Sequence, residues 1–347
     1  MKKIIILKND RVGDLVHSVP AIKNIISRNQ DREIVIFLSK ISKNFYFLFK
    51  KDNTKLKVLN YRLTIIEKIG IFFYLFKNQI EAVYILSPKN FFFYLPIFFL
   101  KTKFFGLCVN GINGYKRPYD FLRKFLHKFV VNDRETTKKR KSTLLLQYEL
   151  TDDSKNNNID ASLNLNISKT EKLTKILPTN YVLIHYKKKV FEQLGWGVSG
   201  LERILNEILK HNFNVVLVKD IEVDENNSIF RNKFKTYDFK TNKLFERDGK
   251  IIFLDNIEGI DLYNAIKYSN RVVATHGMMT NLAYLCKKPV LDLYHCIINN
   301  KDDYHSYKNA FYEFKPSYPN YDFIIPSNDV EKTIRKMKFS LMKKLNN

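Results

Sequence analysis

Cysteine is scarce in this chain of 347 residues: Cys108, Cys286 and Cys296 are widely separated, and no CxxC pair occurs. Three isolated thiols exclude a disulfide framework and a cysteine-based zinc site, and they suit a reducing cytoplasm. Long hydrophobic runs are lacking as well. The longest, 91–100, is interrupted by Pro96 and is roughly half of what a membrane-crossing helix needs. The apolar run Ile4–Leu7 breaks at Lys8-Asn9-Asp10-Arg11, too soon for the core of a signal peptide, and reads as a buried strand. There is no collagen-like period, no sustained heptad and no internal repeat. Only one tryptophan is present, although aromatics reach 14% through 28 Phe and 20 Tyr. With 45% apolar residues the chain can bury a core, which excludes wholesale disorder.

Negative charge is in deficit: 59 Lys+Arg face 35 Asp+Glu, a net +24. Residues 1–150 carry 29 basic and 11 acidic side chains, a net +18, and residues 151–347 carry 30 and 24, a net +6. The run Lys138-Lys139-Arg140-Lys141 lies in the most basic stretch. Two readings stand side by side. Solvated lysines reflect a Lys-, Asn-, Ile- and Phe-rich composition, or the first half faces an anionic partner such as a membrane surface, a phosphorylated lipid or nucleic acid. Phe72, Phe73, Tyr74 and Phe76, then Phe91, Phe92, Phe93, Tyr94, Phe98 and Phe99, belong to the same half, and basic plus aromatic character favours a membrane interface unless these rings are core. Against nucleic acid, no RNP, KH or helix-turn-helix pattern is present.

Short apolar runs alternate with amphipathic stretches. Strands are predicted at 3–7, 33–38, 56–59, 81–86 and 103–107, with helices at 15–28, 62–77 and 90–100. The second half predicts strands at 181–185, 214–218, 250–254, 271–274 and 290–294, with helices at 199–211, 260–268 and 279–286. Such alternation implies parallel sheet with crossover helices. The expected organisation is a Rossmann-like domain over 1–150, a polar linker over 151–178, a second Rossmann-like domain over 179–326 and a basic carboxy-terminal helix over 327–347. A cleft between two such domains is expected where strand ends meet ligands.

The first chemical motif follows the first strand: Asn9-Asp10-Arg11-Val12-Gly13-Asp14-Leu15-Val16-His17-Ser18-Val19-Pro20-Ala21-Ile22. A single glycine rules out a G-x-G-x-x-G dinucleotide fingerprint. Gly13 allows close backbone approach to a ligand, and Asp14 reads either as a helix N-cap or as a carboxylate presented at the helix start. This string resembles glycosyltransferase family 9, the lipopolysaccharide heptosyltransferases. The resemblance implies an α/β GT-B-type fold of two Rossmann-like domains facing a central cleft, the first binding the acceptor and the second a nucleotide-sugar. It makes Asp14 the general base of an inverting transfer, with Arg11, Gly13 and His17 on the acceptor side.

The second half matches the family at two places. Strand 181–184 ends in His185, followed by Lys187, Lys188 and Lys189 and then Trp196; Leu194 stands where the family has lysine, and a nearby lysine is expected to meet a diphosphate. A solvated basic loop is the plainer reading. Ala274-Thr275-His276-Gly277-Met278-Met279-Thr280-Asn281 corresponds to the family's Asp-Thr/Ser-Gly-x-x-His box, and Lys288-Pro289-Val290 to the strand after it. Thr275 replaces the family's Asp, His276 its Thr or Ser, and Asn281 its His. His185, Lys187, Lys188, Trp196, Thr275, His276, Gly277 and Asn281 are thus the expected donor-binding residues.

A strand, a glycine turn and a helix start offer free N–H groups to phosphate. The resemblance implies a nucleotide-diphosphate sugar as co-substrate, heptose or in the alternative hexose. It implies no metal or other cofactor, an anionic lipid-linked glycan as acceptor, and a cytoplasmic protein peripherally attached to the inner membrane. From another class, the chain reads as an inactive or basic scaffold for nucleic acid or membrane.

Overall fold

The computed structural model describes residues 2–110, 116–133, 142–151, 168–220, 225–295 and 319–343. These divide into two units, residues 2–151 and residues 168–295 with 319–343.

The first unit is built on β1 (Lys3–Lys8), β2 (Glu33–Ser39), β3 (Thr54–Leu59), β4 (Ile80–Ile85), β5 (Lys103–Asn110), β6 (Lys116–Arg117) and β7 (Lys128–Asn132). β3-β2-β1-β4-β5-β7 run parallel, and β6 turns back against the end of β5. Ile4–Leu7 of β1 are buried on both faces, as a central parallel strand demands. The helices are α1 (Val12–Arg28), α2 (Ile65–Lys77), α3 (Asn90–Phe98), α4 (Asp120–Arg123) and α5 (Thr143–Glu149). Helix α1 buries Val12, Leu15, Val16, Val19, Ile22 and Ile26, one helical stripe. Helix α2 starts at a reciprocal capping box in which Thr64 and Glu67 satisfy each other's backbone N–H.

The second unit contains β8 (Tyr181–Tyr186), β9 (Asn214–Lys219), β10 (Lys235–Asp238), β11 (Lys243–Phe245), β12 (Ile251–Asp255), β13 (Arg271–Thr275), β14 (Val290–Leu293) and β15 (Tyr321–Ile324). Its sheet runs β11-β10-β12-β9-β8-β13-β14-β15, parallel except for the β10–β11 hairpin. Its helices are α6 (Glu171–Ile176), α7 (Lys188–Gln193), α8 (Gly197–Leu209), α9 (Asn226–Lys233), α10 (Gly259–Lys267), α11 (Met278–Leu285) and α12 (Val330–Lys343). In both units the strand order reverses beside the first strand, between β1 and β4 and between β8 and β13. That is the Rossmann switch point, where ligands meet carboxyl-terminal strand ends.

Two expected boundaries are corrected. The 151–178 linker is not a linker throughout: Thr151 is held by Asn24 and Arg28, and α6 buries Leu173 and Ile176 in the second unit. Residues 152–167 lie outside the described residues, as does the 138–141 basic run. The carboxy-terminal helix is present as α12, but it belongs to the second unit. Ile334 and Met337 of α12 join the second unit's core beside Leu201 and Leu205 of α8.

One packing contact is testable. A Cβ added to Gly200 on α8 would stand 2.4 Å from the Trp196 Cβ and 3.1 Å from its Cγ. Alanine is better than glycine in a helix by about 1 kcal/mol, but overpacking of this kind costs about 1–3 kcal/mol. Gly200→Ala is therefore expected to lower the denaturant midpoint followed by circular dichroism; a raised midpoint contradicts the contact.

Candidate functional site

The turn after β1 is tied to three neighbouring strand ends. Lys8, only 2% exposed, places Nζ 2.8 Å from Asp10 Oδ2 and donates to the Leu86 carbonyl just past β4. The Ser87 hydroxyl donates to the same Asp10 oxygen. The Asp10 carbonyl accepts from Ser39 Oγ at 2.6 Å at the end of β2, and Asn9 Nδ2 donates to Asn60 O beyond β3. Burial pushes the Asp10 carboxyl up, but Lys8, Ser87 and Lys89 outweigh it and hold the group below its ordinary value.

This clamp fixes the start of α1. The N-cap is Arg11, in extended conformation, and Asp14 is the third helical residue, so the N-cap reading of Asp14 does not hold. Among the described residues no side-chain hydrogen bond or ion pair engages its exposed carboxylate. Partial loss of hydration, with Asp10 adding to it, raises Asp14 above its ordinary value although Lys8, Arg11 and Lys89 pull it down. The Arg11 guanidinium lies 5.6 Å and Lys89 Nζ 4.5 Å from the centroid of the Tyr61 ring. Lys89 also donates to the Tyr61 carbonyl, and its pKa is lowered, first by burial. A carboxylate of raised pKa, facing solvent among three cations, can accept a proton from a bound hydroxyl. Gly13 is half-buried beside it, and His17 is buried one turn on.

In the second unit the switch point gathers most of the expected donor residues. His185 Nε2 stands 3.0 Å from Asp220 Oδ1 at the end of β9, and Thr275 Oγ1 stands 3.4 Å from His185 Nδ1 across β8 and β13. Burial raises the Asp220 carboxyl, but the His185 bond with Lys187 and Lys219 lowers it overall. The Lys187 carbonyl accepts from the Val190 and Phe191 N–H groups, while its ammonium makes no hydrogen bond or ion pair among the described residues. His276 Nδ1 lies 2.6 Å from Asp292 Oδ2, which also accepts from Tyr321 Oη at 2.9 Å. Gly277 holds φ at +140°, a conformation side chains resist, and so opens α11 with its first-turn N–H groups unused by side-chain caps.

No family model and no curated protein sequence matches the chain. Solved structures do. A family 9 glycosyltransferase from Veillonella parvula superposes with a TM-score of 0.66 at 12% identity, covering 99% of this chain and 98% of that one. The E. coli heptosyltransferase WaaC, solved with ADP-2-deoxy-2-fluoro heptose, gives 0.63 at 10% identity, covering 98% and 99%. A UDP-GlcNAc 2-epimerase from Methanocaldococcus jannaschii gives 0.53 at 15%, covering 99% and 94%. The chain has the GT-B fold. Each of its Rossmann-like halves carries one of the side-chain groups just described.

Within this GT-B chain two donor-side expectations change. Trp196 is core: it is 3% exposed, packs on Phe191 at 5.5 Å between ring centroids, and its indole N–H is already used by the Ser327 and Asn328 carbonyls. The basic loop is not a loop, because Lys188 opens α7, and its ammonium pairs with Glu225 and Glu192. Asn281 is buried on α11. Sequence reasoning missed Lys8, Asp10, Ser87, Lys89 and Tyr61. The reversal of strand order pointed to them, since Ser87 and Lys89 follow β4, the strand beside β1. Cys296 lies outside the described residues, and among those residues no three His, Cys, Asp or Glu side chains group as a metal site.

Proposed function

We propose that this protein is an inverting glycosyltransferase that moves a sugar from a nucleotide-diphosphate donor onto an acceptor hydroxyl, without a metal ion. The observation that carries the reading is Asp14: a carboxylate of raised pKa, with no partner among the described residues, held on the first turn of α1 at a Rossmann switch point.

In the proposed reaction Asp14 takes the proton from the acceptor hydroxyl as that oxygen attacks the anomeric carbon. The bond from that carbon to the diphosphate oxygen breaks, configuration inverts, and the nucleoside diphosphate leaves with the bonding electron pair. Lys187, His276 and the first-turn N–H groups of α11 are suited to the charge that develops on the leaving group. His185, oriented by Asp220 and Thr275, supports the same edge. Arg11 and Lys89 suit an anionic acceptor, such as a phosphorylated lipid-linked glycan of the cell surface, reached from the cytoplasm. The full-length likeness to heptosyltransferases supports a nucleotide-sugar donor, with heptose the first sugar to test and hexose the second.

Calorimetric titration with ADP-, GDP-, UDP- and CDP-sugars, with and without magnesium, is the direct test. One member is expected to bind saturably and independently of magnesium. Absence of binding to every member overturns the proposal.

A further inference from the structure

Helix α2 is apolar on both sides. Ile71 and Leu75 point into the core, while Ile66, Ile69, Phe73 and Phe76 form a second stripe on the opposite face, 81% exposed at Ile66 and 72% at Phe76. Their spacing confines them to one narrow band of the helix, which is about 20 Å long. The band continues onto the next helix. Phe72 packs edge-on against Phe98, with ring centroids 5.5 Å apart, and Phe98 and Leu100 are 64% and 77% exposed. Helix α4, beside α3, adds exposed Phe121, and Phe125 is exposed in the turn that follows it. One core cluster joins the inner sides of all three helices to β1 and β4, so the helices form a single layer on one sheet face.

Exposed apolar side chains in this number are not scattered surface residues; a continuous apolar layer marks an interaction surface. Its charge identifies the occupant. Arg62, Lys77, Lys101, Lys103 and Lys124 are exposed on or beside the layer. Of its acids, Glu67 is engaged in the α2 capping box and with Asn60, and Asp120 pairs with Arg123. An isologous contact with a second copy would bring these cations against one another. An anionic bilayer instead takes the apolar band into its interface and meets the lysines with lipid phosphates.

We propose that the outer face of α2, α3 and α4 docks the protein on an anionic phospholipid surface, with α2 lying in the plane of the interface. The inference rests on the transferase reading only for its purpose, the delivery of a lipid-borne acceptor, and its test is independent of catalysis. The full chain is sedimented with phosphatidylcholine vesicles that contain or lack phosphatidylglycerol. Binding is expected only to the anionic vesicles. Phe76→Glu/Leu100→Glu and, separately, Lys77→Glu/Lys101→Glu are each expected to weaken it by about tenfold or more, with donor binding unchanged. Three results overturn the proposal: no preference for anionic vesicles, variants that bind like the parent, or a parent dimer in analytical ultracentrifugation that these substitutions dissociate. Vesicle binding that fails while donor binding persists removes the docking surface alone, and the converse removes the transferase reading alone.

Discussion

Asp14→Asn is expected to cut transfer by about 10²–10⁴-fold while leaving donor affinity unchanged, the usual scale for removing a placed general base. Asparagine keeps the size and polarity of the side chain but cannot take the acceptor proton. The pH profile separates this role from a structural one. Asp14 must be ionised to act, so kcat/KM for the parent rises with pH and levels off above the group's raised pKa. That limb disappears in the variant. Stability moves the other way. Because the folded-state pKa is raised, the folded protein holds the proton more tightly than the unfolded chain. Stability therefore falls as pH rises from the ordinary aspartate value through the raised one, and the loss is complete above that raised value. Asparagine has no such penalty, so the variant is expected to melt at or slightly above the parent temperature at pH 7. A variant that melts lower while retaining transfer would contradict the assignment.

Lys8→Met is the second large effect, on folding rather than on chemistry. Lys8 is buried at the end of the central strand, and its ammonium is 2.8 Å from Asp10 Oδ2. Methionine fills the space but leaves Asp10, among the described residues, with the Ser87 hydroxyl and a more distant Lys89. Removing one member of a buried ion pair costs about 3–5 kcal/mol. Urea denaturation followed by circular dichroism is expected to show a loss of that size, and Asp10→Asn added to Lys8→Met is expected to recover much of it. A loss in the single variant below about 1 kcal/mol, the scale of an exposed pair, would show that the pair is solvated. The acid limb has a definite sign. Asp10 is held below its ordinary value, so its contribution to stability is complete above about pH 4 and is lost as pH falls through the depressed value. In Lys8→Met burial dominates instead, and the carboxyl takes up its proton at a higher pH.

The central strands of both sheets were legible because their apolar runs bury on both faces. β1 covers Lys3–Lys8 against the expected 3–7, and β13 covers Arg271–Thr275 against 271–274. Helices α1, α8 and α11 fall within about one turn of expectation because each repeats its apolar residues at helical spacing. The misses share one cause, elements too short for periodicity to register. Helix α6 offers only Leu173 and Ile176, three positions apart, and lay in a stretch read as linker. β15 is Tyr321-Asp322-Phe323-Ile324, four residues with a single buried side chain, and β7 begins with a lysine and holds one buried residue.

At the candidate site the motif disclosed the carboxylate, but sequence distance concealed its supports. Ser87 and Lys89 lie more than seventy residues from Asp10, and only the pairing of β1 with β4 brings them alongside. Trp196 misled for the opposite reason. Its place beside a family motif made it an expected donor-binding residue, whereas here its ring fills the second unit's core.

That burial makes Trp196 a built-in optical reporter. The chain has one tryptophan, in the unit that also carries the expected donor residues, with its indole N–H bonded to the carbonyls just before α12. Its emission is therefore a signal from the second unit, while far-ultraviolet ellipticity averages over both halves. Where the two signals change together on denaturation, the halves unfold as one cooperative system; where they separate, each half has a stability of its own and no single unfolding free energy describes the chain.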